Sequence, residues 1–194
     1  RSVRKKSTSY RRLKENLRRV KADLSEPDLD ELSARGMESY LRYWCDAFRL
    51  PSWNHERIVK TVTVEGEDKF RALVAEGKGV VVSLPHSGNW DHAGYYYCSL
   101  GYPVHTVAEH LKPERLFRKF LKHRERMGMT VLDLDQRTTP ELIRFLSDGK
   151  LVALVSDRDL SRNGIEVDFF HGKAKMPPGP ALLAYRTKAR LITA

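Results

Sequence analysis

Residues 79–94 read Gly-Val-Val-Val-Ser-Leu-Pro-His-Ser-Gly-Asn-Trp-Asp-His-Ala-Gly, and few folds accommodate such a stretch. Three valines and a leucine in so short a run predict a strand buried on both faces. Pro85 ends it, because proline cannot donate to a strand ladder. Ser87, Gly88 and Asn89 are loop and N-cap types, and a helix-like run follows from Trp90 to Leu100, closed by Gly101. A buried strand, a tight loop and a helix form the opening unit of an α/β sheet. In open sheets of this kind ligands bind beyond the carboxyl ends of the strands. His86 falls in that place, and Asp91 falls in the first turn of the helix after it.

On a single helix two residues five apart would diverge by about 140°. A loop histidine followed by a first-turn aspartate escapes that limit. The carboxylate can turn back to one ring nitrogen, fix the tautomer and leave the other nitrogen free as a base. An ordinary helix start, with an acid in its first turn and a histidine satisfied by backbone, gives the same residues. Both readings fit so short a motif.

The rest of the chain extends the α/β pattern. Residues 58–64 alternate like a half-exposed strand, and Asp68 to Glu76 reads as a helix ended by Gly77. After the central unit come strands at Val104–Ala108, Met129–Leu134, Leu151–Val155 and Ile165–Phe170. Between and after them lie helices at Pro113–Met127, Pro140–Ser147 and Gly179–Lys188, and the final Leu-Ile-Thr-Ala begins another strand. Strands alternating with helices predict a central, mostly parallel twisted sheet with helices on both faces. Polar residues collect after the strands: Glu109 after one, Asp157, Arg158 and Asp159 after another, with Glu166 opening the Ile165 strand. These ends can share one crevice with His86, although each alone also reads as a surface turn or cap. Arg124 stands among Lys119, Lys122 and Arg126 on a face that is either solvated or phosphate-binding.

Two helices precede this core. Ser25, Glu26 and Pro27 start one that runs to about Leu50 and stops before Pro51. Its apolar set is Leu29, Leu32, Tyr40, Leu41, Trp44 and Phe48. Trp44, Phe48 and Trp53 suit core packing, and also suit an aromatic wall for an acyl chain. Before it, Tyr10, Leu13, Leu17, Val20 and Leu24 recur at helical spacing among ten basic residues and one acid in residues 1–21. Such a helix either packs its stripe on the domain or lies on an anionic membrane. The net charge of +10 is almost all in this arm, which argues against a nucleic-acid groove across the domain.

At 194 residues the chain suffices for one domain, expected as helices over 1–50 and an α/β core over 58–194. No apolar run is long enough to span a bilayer, and no signal peptide is visible. Cys45 and Cys98 stand apart without a disulfide framework, which suggests a reducing setting. The chain has no G-x-G-x-x-G, P-loop, H-E-x-x-H or G-x-S-x-G.

Four blocks in order resemble one family. Leu84–Gly94 is similar to the His-x4-Asp block of the bacterial lipid A biosynthesis acyltransferases. Thr106–Glu114 resembles a second block, Asp157–Leu160 with Gly164–Gly172 a third, and Met176–Ala181 the proline block that follows. Asp91, where the lipid A branch tends to carry Glu, and the run Arg42–Pro51 resemble the branch that acylates phosphatidylinositol mannosides. Members usually run well past 194 residues, which implies that part of the sheet and the C-terminal region are missing here.

The resemblance implies fatty acyl transfer from acyl-CoA, a co-substrate, to a mannose hydroxyl of a glycolipid. It implies no other cofactor and no metal, and a peripheral place on the cytoplasmic face of the inner membrane. By the same resemblance His86 is the general base, Asp91 its orienting charge and Glu166 a site residue holding His86 or the sugar. Asn89, Glu109, Arg124 and Arg158 would contact substrate. A lipid A type reaction on another glycolipid is the near alternative. A metal-dependent hydrolase built on His86, Asp91, His92 and Asp157, and a non-catalytic lipid-binding module, are the distant ones.

Overall fold

A computed structural model describes residues 7–110, 112–159 and 163–194. Residues 1–6 of the basic arm, and Leu111 and Leu160 within the similarity blocks, lie outside the described residues.

Helix α1, Thr8–Val20, starts where the Ser7 hydroxyl accepts from the Tyr10 amide. Helix α2, Glu26–Arg49, starts where the Ser25 hydroxyl accepts from the Asp28 amide, with Pro27 in its first turn, and a 3-10 turn over Leu50–Ser52 absorbs Pro51. The stripe of α1 packs on α2. Tyr10 is buried and its hydroxyl donates to Asp30, while a Cβ on Gly36 would lie only 3.0 Å from Leu13 Cδ2. Lys14 pairs with Glu26 and Asp30, and Arg18 pairs with Glu26. The apolar stripe of the arm therefore faces α2, with Tyr10 buried and Leu13, Leu17 and Val20 half-buried, and Arg11, Arg12 and Arg19 lie exposed.

The strand expected over 58–64 is absent. Residues 55–60 form helix α3, His55–Lys60, because Asn54 caps it by accepting from the Arg57 amide, and Glu56 pairs with Lys60 one turn on. Those local bonds outweigh the β-branched alternation of Ile58, Val59 and Val62. Ile58 is fully buried, which a helix achieves as well as a strand. Helix α4 follows at Glu67–Ala75.

The core alternates as expected: β1 Val80–Leu84, α5 Trp90–Ser99, β2 Val104–Ala108, α6 Glu114–Glu125, β3 Thr130–Asp133, α7 Thr138–Ser147, β4 Leu151–Val155, a hairpin of β5 Ile165–Phe169 and β6 Gly172–Met176, α8 Gly179–Thr187, and β7 Arg190–Thr193. Five strands pair in the order β3-β2-β4-β1-β7, and every pairing is parallel. Alternation along the strands builds two cores. Val80 and Leu151 face one with Ile58 of α3, Phe70 of α4 and Tyr96 of α5, while Val81 and Val152 face the other with Phe145 of α7 and Leu183 of α8. Gly79 enters β1 at φ 73°, where a Cβ would lie 2.4 Å from the Leu146 carbonyl oxygen, so only glycine fits this approach to α7.

The strand expected over 165–170 does not join the sheet. It pairs antiparallel with β6 in a separate two-stranded hairpin, with Glu166 opposite Lys175 and Asp168 ion-paired to Lys173.

Strand order fixes where a site can form. From β1 the chain moves toward β3, by way of β2; from β3 it returns through β4 and ends at β7. Right-handed crossovers then require α5 on one face and α7 and α8 on the other, as the two cores have them. The connections that leave the neighbours β1 and β4 run in opposite directions along the sheet and on opposite faces of it, and the carboxyl ends of such strands are where ligands bind in α/β sheets.

Candidate functional site

Strands β1 and β4 run in register from Val80 opposite Leu151 to Leu84 opposite Val155. The Ser156 amide continues the ladder by donating to the Leu84 carbonyl (2.9 Å), and the hydroxyls of Ser83 and Ser156 are 2.6 Å apart. Two residues beyond each strand end stand His86 and Asp157. Their side chains meet, with His86 Nδ1 2.6 Å from Asp157 Oδ1. Partial burial works against the Asp157 carboxylate, but the His86 side chain, its charge and the backbone amides of His86 and Asp157 together outweigh it and hold its pKa below the usual aspartate value. An ionised Asp157 can only accept, so Nδ1 is the donor between them, which in the neutral imidazole leaves the lone pair on Nε2. His86 keeps about a third of its side chain exposed (35%).

This corrects one expectation. Asp91 does not turn back to His86. It is buried at the start of α5, where Oδ2 accepts from the Tyr43 hydroxyl of α2 (2.8 Å) and Oδ1 accepts from Arg124 Nε of α6 (2.8 Å). The physical reason is charge. A buried carboxylate needs a cation and donors more than it needs a neutral imidazole, and Arg124 supplies both. Burial disfavours the Arg124 cation, but Asp91 more than restores it and its pKa lies above the ordinary value. Burial, followed by the Asp91 charge, raises the Tyr43 hydroxyl well above its usual range. Arg124 is thus neither solvated nor free for a phosphate.

The remaining expected residues divide. Arg158, beside Asp157, pairs with Glu109 just past the end of β2 (3.5 Å), so both lie exposed at the same end of the sheet as His86. Asn89 is the N-cap of α5, accepting from the His92 amide at 3.0 Å, and its side chain is committed to that turn. Glu166 is exposed on the hairpin, and among the described residues no hydrogen bond or ion pair joins it to His86. His92 faces Thr61 (Nε2 to Oγ1, 3.1 Å) and the edge of Trp53, and burial lowers its pKa. The four residues of the metal-hydrolase alternative therefore do not converge. Among the described residues no group of three or more His, Cys, Asp or Glu is placed to hold a metal ion.

The aromatic expectation is also redrawn. The buried face of α2 carries Leu29, Ser33, Tyr43 and Ala47, while Tyr40, Leu41 and Phe48 are exposed. Trp44 contacts Tyr40, Phe48 and Phe120, forming a half-exposed ridge between α2 and α6. Trp53 lies elsewhere, under the Arg57 guanidinium and against His92. Spacing alone could not find Tyr43. Its hydroxyl, which a buried acid can use, is matched by that of Tyr40 in the same helix, so the sequence carried no signal that singled it out.

The sequence profile of the bacterial lipid A biosynthesis acyltransferases matches residues 1–194. The chain belongs to that family. Among curated relatives, phosphatidylinositol mannoside acyltransferase of Mycolicibacterium smegmatis (strain ATCC 700084 / mc(2)155) is 42% identical over 182 residues, covering 92% of this chain and 60% of the relative. The protein of the same name from Mycobacterium tuberculosis (strain CDC 1551 / Oshkosh) is 42% identical over 185 residues, covering 93% of this chain and 58% of the relative. The chain thus spans well under two thirds of the length of these relatives. Family membership accounts for the order of the four sequence blocks, and the fold adds that the first and third of them meet at His86 and Asp157.

Proposed function

We propose that the chain carries the base of an O-acyltransferase that moves a fatty acyl group from acyl-CoA to a mannose hydroxyl of a phosphatidylinositol mannoside. The observation that carries this reading is the His86–Asp157 pair at the carboxyl ends of β1 and β4, in a chain of this family. The names of two relatives at 42% identity favour the mannoside acceptor over another glycolipid.

In this reading the acceptor hydroxyl lies against His86 Nε2. As its oxygen attacks the thioester carbonyl, Nε2 takes the proton, and the carbonyl electrons move to oxygen. Collapse of the tetrahedral intermediate breaks the carbon–sulfur bond. The thiolate leaves and takes the proton back from the imidazolium, giving the ester and free CoA. Asp157 stabilises the imidazolium formed in between, the part that the sequence reading gave to Asp91. Arg158, mostly exposed beside Glu109, offers a cation for an anionic substrate group. A lipid acceptor and a CoA-borne donor favour a peripheral place at the cytoplasmic face of the membrane; among the described residues no helix is long and apolar enough to cross a bilayer.

The test is release of free thiol from acyl-CoA over a panel of glycolipids that includes phosphatidylinositol mannosides. Release should depend on a mannoside, and His86→Ala should slow it by about 10² to 10⁴ while circular dichroism stays unchanged. Near-normal turnover by folded His86→Ala would sink the assignment.

A further inference from the structure

We infer that Trp90 and Tyr43 are positioning residues for the His86 ring, and that Asp91 acts on His86 only through them. The inference rests on the reading of His86 as the base. The bond to Asp157 restrains one nitrogen, but coupled changes in the two side-chain torsions still let the imidazole tilt, and Nε2 then sweeps an arc. General-base catalysis needs Nε2 at one point of that arc. Trp90 supplies the second restraint: its ring meets the imidazole nearly perpendicular (85°), with centroids 5.1 Å apart. Such an edge-to-face contact resists rotation of either ring.

Trp90 is itself held. It stacks on Tyr43 at 4.4 Å and 28°. Tyr43 cannot slide, because its hydroxyl donates to Asp91 and Asp91 is gripped by Arg124. A row of contacts thus runs from Arg124 on α6 through Asp91 and Trp90 on α5 and Tyr43 on α2 to the catalytic loop. At any working pH Tyr43 remains a donor, since burial and the Asp91 charge keep its proton on. None of the three groups behind Trp90 touches the reacting atoms in this scheme. They set the angle of the one that does.

The experiment compares Trp90→Leu, Trp90→Phe and Tyr43→Phe by steady-state kinetics and by NMR of the His86 ring. Trp90→Leu should lower kcat by about 10²-fold, the loss a displacement of about 1 Å can cause, with KM for acyl-CoA nearly unchanged. Trp90→Phe keeps a ring and should recover most of that loss. Tyr43→Phe keeps the stack, drops the hydroxyl and should fall between them. The His86 ring protons should move in Trp90→Leu as the indole ring current is lost. They should move less in Trp90→Phe, and they should broaden in Tyr43→Phe. A rise in KM at constant kcat would make Trp90 a substrate contact and overturn the inference, as would His86 signals that Trp90→Leu leaves in place. If Trp90→Leu fails to fold, Tyr43→Phe, which preserves bulk, decides by the same signals. If the parent protein turns over no acceptor, the base assignment falls, and the ring signals still decide the geometry.

Discussion

Replacing Arg124 with methionine keeps an unbranched apolar stem and removes the guanidinium. What remains is the Asp91 carboxylate, almost fully buried, with its Tyr43 bond at 2.8 Å. Two contacts disappear, at 2.8 Å to Oδ1 and 3.5 Å to Oδ2. Stranding one member of a buried ion pair typically costs about 3–5 kcal/mol. Two features hold the cost to the lower end. Tyr43 still donates, and Arg124 keeps 19% of its side chain exposed, so water reaches the gap.

The expected loss is therefore about 3 kcal/mol, a large part of the roughly 5–15 kcal/mol that holds a typical domain folded. With a urea slope of about 2–3 kcal/mol per molar, the midpoint should fall by about 1 M. Tryptophan fluorescence reports the transition directly, since Trp90 and Trp44 both contact Tyr43. Adding Asp91→Asn to Arg124→Met removes the stranded charge, so the double variant should be more stable than the sum of the two singles by about 1–3 kcal/mol. An Arg124→Met midpoint within about 0.5 kcal/mol of the parent would mean that the pair behaves as a surface bridge. The account of Asp91 as a buried anchor would then be wrong.

Two further predictions concern charge. Because the stripe of α1 is packed on α2, any attraction of the arm to anionic vesicles should be electrostatic only, and should vanish in about 1 M salt, where the Debye length is about 3 Å. Changing Arg11, Arg12 and Arg19 to Gln should abolish co-sedimentation while sparing Arg18 and its pairing with Glu26; binding that survives high salt would show that an apolar surface meets the lipid. On the alkaline side, burial raises the hydroxyls of Tyr43 and Tyr97, the latter to about 12, so their contribution to stability is complete below about pH 10 and is lost as pH rises through the folded values. Tyr97→Phe should flatten the decline in urea midpoint between about pH 10 and pH 12, and an unchanged slope would refute the assignment.

Local chemistry wrote much of this protein into its sequence. Short apolar runs gave the five core strands from β1 to β4 and at β7, the helical spacing of Tyr10, Leu13 and Leu17 gave α1, and Ser25 with Pro27 gave the start of α2, because those signals act over a few residues. The same locality put His86 at a strand end. It also misled, since β-branched residues at 58–64 looked like a strand until the Asn54 cap won. Ile165–Phe169 did form a strand, but no local pattern tells whether a strand joins the sheet or a hairpin beside it.

Partnership was decided only by the tertiary structure. Asp157 reaches His86 from 71 residues away because β4 lies next to β1 in equal register, and strand order is set by crossover direction and helix packing on two faces. Asp91, only five residues from His86, is taken instead by Tyr43 and Arg124, 48 and 33 residues distant. A buried carboxylate settles where a cation and a hydroxyl compensate its lost hydration, and only the packed fold brings those groups to it.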